Sequence, residues 1–248
     1  MPARTGPSKD HEPRGINTWN ESGLHEALKE RYRGEGGATE VALEGVVCDV
    51  VRADGTVVEI QTRGLGRLKG KLARLLAGRP VLLVFPVARN KILEVRTPSG
   101  KLKSRRRSPK HDSVYAVFAE LTGLWQLLDH PGLVVEVVHA DVQETRVDDG
   151  TGSWRRRGVR IAGRELVAVH GADTFRGLAD WARLVPPSLP AEFSVKELAA
   201  AAAGVHAGRM AWTLRHAGVL ALCGKRGNAL VYRLVPGWSA TPVESHTL

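Results

Sequence analysis

Three polar residues stand where an apolar strand would be expected. Residues 49 to 62 read DVVRADGTVVEIQT, and Asp49, Glu59 and Gln61 interrupt its run of valines and isoleucine. A carboxylate among apolar neighbours needs either water or a function. Two carboxylates held close together repel each other, and a divalent cation between them relieves that repulsion. Metal-assisted chemistry is therefore the sharp expectation. A surface hairpin with solvated acids is the plain one, and it does not explain why only one face is interrupted.

The register decides whether the acids meet. With Ala53-Asp54-Gly55 as a three-residue loop, a type I turn followed by a left-handed glycine, Asp49 lies opposite Glu59, Val47 opposite Gln61 and Val51 opposite Val57. Alternation then gathers Asp49, Glu59 and Gln61 on one face. It sends Cys48, Val50, Val58 and Ile60 to the other, which is apolar and can be buried. A two-residue Asp-Gly loop would separate the acids and leave each among apolar partners.

The flanking sequence supplies elements to hold such a hairpin. Residues 22–32 read as a helix with Leu24, Leu28 and Tyr32 on one face, followed by strands over 40–52 and 56–62. An amphipathic helix over 65–77 carries the stripe Leu65, Leu68, Leu72, Leu75 and Leu76. The apolar run 81–87 reads as a central strand, making a strand–helix–strand unit in a mixed sheet. A hairpin-like pair near 91–97, a helix over 112–128, strands over 133–147 and 158–169 and a helix over 174–184 follow. PPSLP at 186–190 then marks a linker.

This order resembles the PD-(D/E)XK nuclease superfamily, in which an Asp on one strand precedes Glu-x-Lys on the next. Asp49 matches the first acid, Glu59 the second and Ile60 the intervening apolar residue, while Gln61 stands where lysine is usual. The resemblance covers about residues 22 to 90. It implies a restriction-endonuclease-like α/β (α+β) fold, a mixed sheet flanked by helices, and Mg²⁺- or Mn²⁺-dependent phosphodiester hydrolysis. Asp49, Glu59 and the Ile60 carbonyl would hold the metal, and Glu26 a second metal or its water shell. Asp49, Glu59 and Gln61 would be the catalytic set. Glutamine orients a water but adds no charge. Lys69 and Lys71 are candidate phosphate contacts, with ordinary surface lysines the alternative.

Beyond the linker, residues 193–235 start with a capping box, Ser194 with Glu197, and continue as helix, helix and basic-tipped hairpin. The sequence resembles a winged helix-turn-helix, which implies a second helix that reads the major groove. His206, Arg209, Thr213 and His216 form its polar face, and Lys225 and Arg226 its wing tip. The chain of 248 residues has a formal net charge of +10, which favours a polyanionic partner. KLKSRRRSPK over 101–110 holds six cations and no acid, and WRRRGVRIAGR over 154–164 five arginines and no acid. Both read as basic loops, so Arg105, Arg106, Arg107 and Lys110 join the candidate nucleic-acid contacts.

The expected organisation is a basic arm over 1–19, a nuclease-like domain over 20–170 and a connecting helix with linker over 171–190. A winged helix over 191–236 and a tail over 237–248 complete it. Two distant cysteines, Cys48 and Cys223, and the lack of an apolar leader suggest a reducing cytoplasm. No run approaches the ~20 apolar residues that span a bilayer, so no membrane is expected. The reading is a metal-dependent nuclease acting on nucleic acid, double-stranded DNA first, with a homodimer admissible. A binding-only descendant and an RNA-directed nuclease are the rivals.

Overall fold

A computed structural model describes residues 22–238. The expected arm over 1–19 and residues 239–248 of the expected tail lie outside them. The chain forms α1 (Ser22–Arg33), β1 (Ala38–Leu43), β2 (Val46–Val51), β3 (Val57–Ile60), α2 (Lys69–Leu76) and β4 (Val81–Arg96). It continues with β5 (Leu102–Arg107), α3 (Phe118–Leu121), β6 (Leu133–Asp148), β7 (Val159–Phe175) and α4 (Leu178–Ala182). A last group comprises β8 (Phe193–Ser194), α5 (Val195–Leu198), α6 (Ala207–His216), β9 (Leu220–Arg226) and β10 (Ala229–Leu234).

Seven strands make one mixed sheet in the order β1-β2-β3-β4-β6-β7, with β5 on the free side of the outer half of β4. β3, β4 and β6 run parallel, as the crossover through α2 requires, and the other pairs are antiparallel. Helices cover both faces, giving an α+β protein with a large mixed sheet. On one face α1 buries Leu24, Leu28 and Tyr32 against Val50, Val58, Ile60, Leu82, Val84 and Val138. On the other, α2 lays Leu72, Leu75 and Leu76 over Val57, Val81 and Leu83. That second cluster is continuous through Phe118, Trp181 and Leu184 into Phe193, Leu198, Leu214 and Tyr232. The C-terminal elements, with their own sheet β8-β10-β9, therefore share a core with the large sheet.

The strand expected over 40–52 is two strands, because Glu44 and Gly45 both take positive φ and reverse the chain. β4 does not stop at Val87. Its outer half, with β5, β6 and β7, extends the sheet as a ribbon of long strands. The expected basic loop over 101–110 is mostly β5, an edge strand with every side chain exposed. Such a strand lacks the apolar alternation by which strands are recognised, and its charges suit an unpaired edge. The helix expected over 112–128 is broken into short turns by Leu124 N–H donating to Leu121 and Leu127 N–H to Leu124. The boundary expected at 170 falls inside β7, whose pairing with β6 runs on to Phe175.

Candidate functional site

β2 and β3 pair Val50 with Val58 and Val51 with Val57 around the turn Ala53-Asp54-Gly55, so Asp49 and Glu59 fall at opposing positions. The ladder ends there. Opposite Asp49 on its other side, Glu40 of β1 takes φ 53, and neither neighbour bridges to Asp49. The strand turns over at this point. Val50, Val58 and Ile60 pack on the α1 side, whereas Cys48 joins the α2 side, against the alternation expected for it.

The Asp49 carboxylate fills the gap left in the ladder. Its Oδ2 accepts from Ile60 N–H at 2.8 Å and lies 3.3 Å from His25 Nε2. The same His25 nitrogen lies 3.0 Å from the Ile60 carbonyl oxygen. Both oxygens are acceptors, so Nε2 carries the proton. Burial works against the charge on each partner. The pairing outweighs it, holding Asp49 below the usual carboxylate range and His25 above the usual imidazole range.

Glu59 is in the opposite condition. It is 2 % exposed and meets α2 rather than α1. Lys71 Nζ donates to its Oε2 at 2.5 Å and to the Val47 carbonyl at 2.6 Å. Among the described residues its buried Oε1 has no hydrogen-bond partner. Burial, assisted by the Asp49 charge, pushes its carboxyl above the usual range despite the Lys71 bond and the Asp49 backbone N–H. The two acids are thus near enough to feel each other but are held by helices on opposite faces of the sheet. They do not gather on one face as expected, because the strand turns over at Asp49, and their pKa values are driven apart.

Gln61 is half-buried just past β3, its N–H donating to the Val84 carbonyl. The following turn is fixed by Glu120, whose Oε2 accepts from Gly64 N–H at 2.6 Å and Leu65 N–H at 3.3 Å. Glu26 does not join the acids. Its side chain is 64 % exposed and pairs with Lys29 at 3.0 Å. Lys69 is exposed on α2. The basic residues of β5 lie on the ribbon, where Arg105 pairs with the buried Glu94 at 3.3 Å and Arg106 and Arg107 are exposed. Lys110 is exposed beyond the strand.

Of the polar face expected of the second C-terminal helix, Arg209 and His216 are exposed, His206 is half-buried and Thr213 is buried. Arg209 of α6 donates to the Ala119 carbonyl of α3. His216 stacks on Trp212 and faces Trp125 with ring centroids 5.7 Å apart. Thr213 is wholly buried, its hydroxyl unpartnered, because it lies on the core side with Met210 and Leu214. His206 is half-buried in a 270 Å³ cleft between the C-terminal elements and the sheet, and burial lowers its pKa. On the β9–β10 hairpin, Lys225 is exposed, while Arg226 pairs with Glu197 at 3.0 Å and donates to the Glu192 carbonyl.

Sequence reasoning passed over His25 and Lys29 and left Lys71 on the surface. Helical spacing carried the signal. Lys71 is three residues from Leu68 and four from Leu75, inside the buried stripe. His25 and Lys29 are three residues before Leu28 and Tyr32 respectively, at the margin of the α1 face. Lys29 is 4 % exposed and pairs with Glu26 and Glu40, so α1 supplies the cations for the acids at the broken ladder.

Among the described residues no three side chains of His, Cys, Asp and Glu gather in metal-ligand spacing, and no helix is long and apolar enough to cross a membrane. The chain is similar to an uncharacterized protein of Treponema pallidum (strain Nichols), 38% identical over 221 residues, which are 89% of this chain and 88% of that protein. No solved structure matches it. The family described as a domain of unknown function, DUF8091, matches residues 22–176, from α1 to the end of β7, and the chain belongs to that family.

Proposed function

We propose that this member of the DUF8091 family is a metal-dependent nuclease, hydrolysing phosphodiester bonds of nucleic acid at the open end of β2 and β3. The observation that carries the reading is the pair Asp49 and Glu59. The two occupy opposing chain positions where the ladder stops, Asp49 toward α1 and Glu59 toward α2, and among the described residues one oxygen of the buried Glu59 has no hydrogen-bond partner. Leaving a buried carboxylate oxygen unsatisfied is costly unless the group has a further ligand. Two carboxylates and the Ile60 carbonyl offer hard oxygen donors, the set that suits Mg²⁺ or Mn²⁺. When bound there, the ion would lower the pKa of a water and stabilise charge on the phosphate.

The chain's own residues supply the rest. Lys71, 2.5 Å from Glu59, brings the positive charge that Gln61 lacks, from α2 instead of from β3. Gln61 orients the attacking water through its carboxamide. His25 keeps Asp49 and the Ile60 carbonyl aligned, and its proton competes with a cation for the same oxygens. In this reading the large sheet is a PD-(D/E)XK-like core. The C-terminal elements are a winged helix whose second helix, α6, keeps Arg209 and His216 exposed while Thr213 is buried.

A second reading rests on His25. Because it already satisfies Asp49 and the Ile60 carbonyl, the same residues suit a binding protein that has lost hydrolysis. Titrating Mg²⁺ and Mn²⁺ against labelled DNA and RNA, with Glu59→Gln as control, separates the two. Metal-dependent cleavage abolished by Glu59→Gln supports the nuclease. Binding without cleavage under every metal supports the second reading.

A further inference from the structure

The loop joining β6 to β7, residues 149–158, is built to a fixed shape. Asp149 accepts from Thr151 N–H at 3.0 Å, from its hydroxyl at 2.7 Å and from Arg160 at 2.9 Å, which pull its carboxyl down to about 2. Gly152 N–H donates to the Gly158 carbonyl at 2.7 Å. A Cβ at Gly152 would come within 2.1 Å of the Val159 carbonyl group, so only glycine lets the two sides close. This ordered loop carries Trp154, 81 % exposed, with the Arg155 guanidinium carbon 5.6 Å from its ring centroid. A large ring fixed in solvent gains little for the fold; with a cation over it, it forms a platform for another flat ring.

Beneath the loop lies a 190 Å³ cleft lined by Arg63, Arg156, Arg160 and Arg164 together with Thr151 and Ser153. No acid lines it. Arg160 and Arg164 each have a carboxylate partner, Asp149 and Glu144, which fixes their position while their remaining N–H groups can still donate. Arg63 follows Gln61 by two residues, at most about 7 Å along the chain, so one wall of the cleft is joined closely to the candidate site. Arginine N–H groups beside an exposed aromatic ring are the elements with which proteins hold unpaired nucleotides. In a continuous duplex the bases are already stacked on one another and offer no free face to an indole.

We infer that the β6–β7 loop holds an unpaired stretch of the polymer, Trp154 stacking on a base and the arginine cleft taking the adjoining phosphates toward Gln61. The inference rests on the reading of the polymer as nucleic acid and names its class: a single strand, or a duplex with an unpaired end. The chemistry is common to DNA and RNA.

The test is binding without hydrolysis. Fluorescence anisotropy in EDTA measures the full chain on a labelled 20-nucleotide DNA, its RNA counterpart and the blunt duplex. The single strands are expected to bind at least about ten-fold tighter than the duplex. Trp154→Ala should lose roughly ten-fold or more on the single strands, with Trp154→Phe retaining most of the affinity. Arg156→Ala should make the salt dependence shallower by about one unit. An unchanged melting temperature confirms that the variants fold. A Trp154→Ala protein that binds the single strands as wild type does, or a duplex bound as tightly as the strands, overturns the inference. Since no metal is present, loss of this inference leaves the hydrolytic reading standing. A protein that stacks through Trp154 yet never cleaves removes only the hydrolytic reading.

Discussion

Glu59 and Glu144 are two glutamates of one sheet, 2 % and 1 % exposed, with opposite fates. Glu144 stands in the outer ribbon with both oxygens occupied, by Arg146 at 2.6 Å and Arg164 at 3.0 Å. Burial opposes its charge, but the two guanidiniums outweigh it and hold the carboxyl below the usual range. Glu59 has one lysine, an unpartnered oxygen and a neighbouring acid, and its carboxyl is raised. Equal burial thus separates a carboxylate that holds strands together from one left unsatisfied. The unsatisfied one lies where the ladder breaks.

Substitution should pull the two apart. Glu59→Gln is expected to reduce metal-dependent cleavage by about a thousand-fold or more while leaving the melting temperature unchanged or raised. A Glu59→Gln protein that cuts at the wild-type rate ends the functional half of the comparison. Glu144→Ala should cost about 3 kcal/mol in urea unfolding, because two part-buried arginines lose their partner; a loss below about 1 kcal/mol would make Glu144 an ordinary surface acid. Lys71→Met should slow cleavage about a hundred-fold. It should also move the acid limb of the pH profile upward, since Lys71 is what restrains the Glu59 pKa; an unmoved limb would detach Lys71 from the site.

Stability against pH should sharpen the contrast. A carboxyl raised in the folded state binds its proton more tightly there than in the unfolded chain. Wild type should therefore lose stability relative to Glu59→Gln as pH rises from the ordinary glutamate value of 4.5 through the raised value. Glu144 runs the other way: its contribution is present above 4.5 and is lost as pH falls through its lowered value. Parallel curves for the two Gln variants would show that their environments do not differ. The smallest effect is expected at Gln61, where Gln61→Lys should keep cleavage within a few-fold of wild type or raise it, and Gln61→Ala should lower it.

Much of this was legible because strict periods bury side chains. The turn at Gly55 and the apolar positions 50, 51, 57 and 58 fixed the β2–β3 register, and Leu24, Leu28 and Tyr32 marked α1. β5 was not legible, since LKSRRR has no apolar face and its pairing comes from the backbone. Cys48 was misplaced because alternation assumes a regular strand, and the left-handed Glu40 opposite Asp49 breaks it. The partners of the acids were missed for a different reason. Contacts of Asp49 with His25 and of Glu59 with Lys71 join a helix to a strand, and no local period relates the two. The contacts of α6 escaped notice likewise, since Arg209 meets the Ala119 carbonyl and His216 faces Trp125, both far along the chain.

The buried cluster that runs unbroken from Leu72 through Trp181 to Leu214 and Tyr232 bears on how the molecule comes apart. The proline segment at 186–190 is accessible and lies between elements, so a protease can cut it. The two pieces so produced would each carry half of an apolar surface that water penalises. They should stay together as a non-covalent pair, elute as the intact chain does and melt in one transition. Expressed alone, either half should be recovered as aggregate and regain its shape only when mixed with the other.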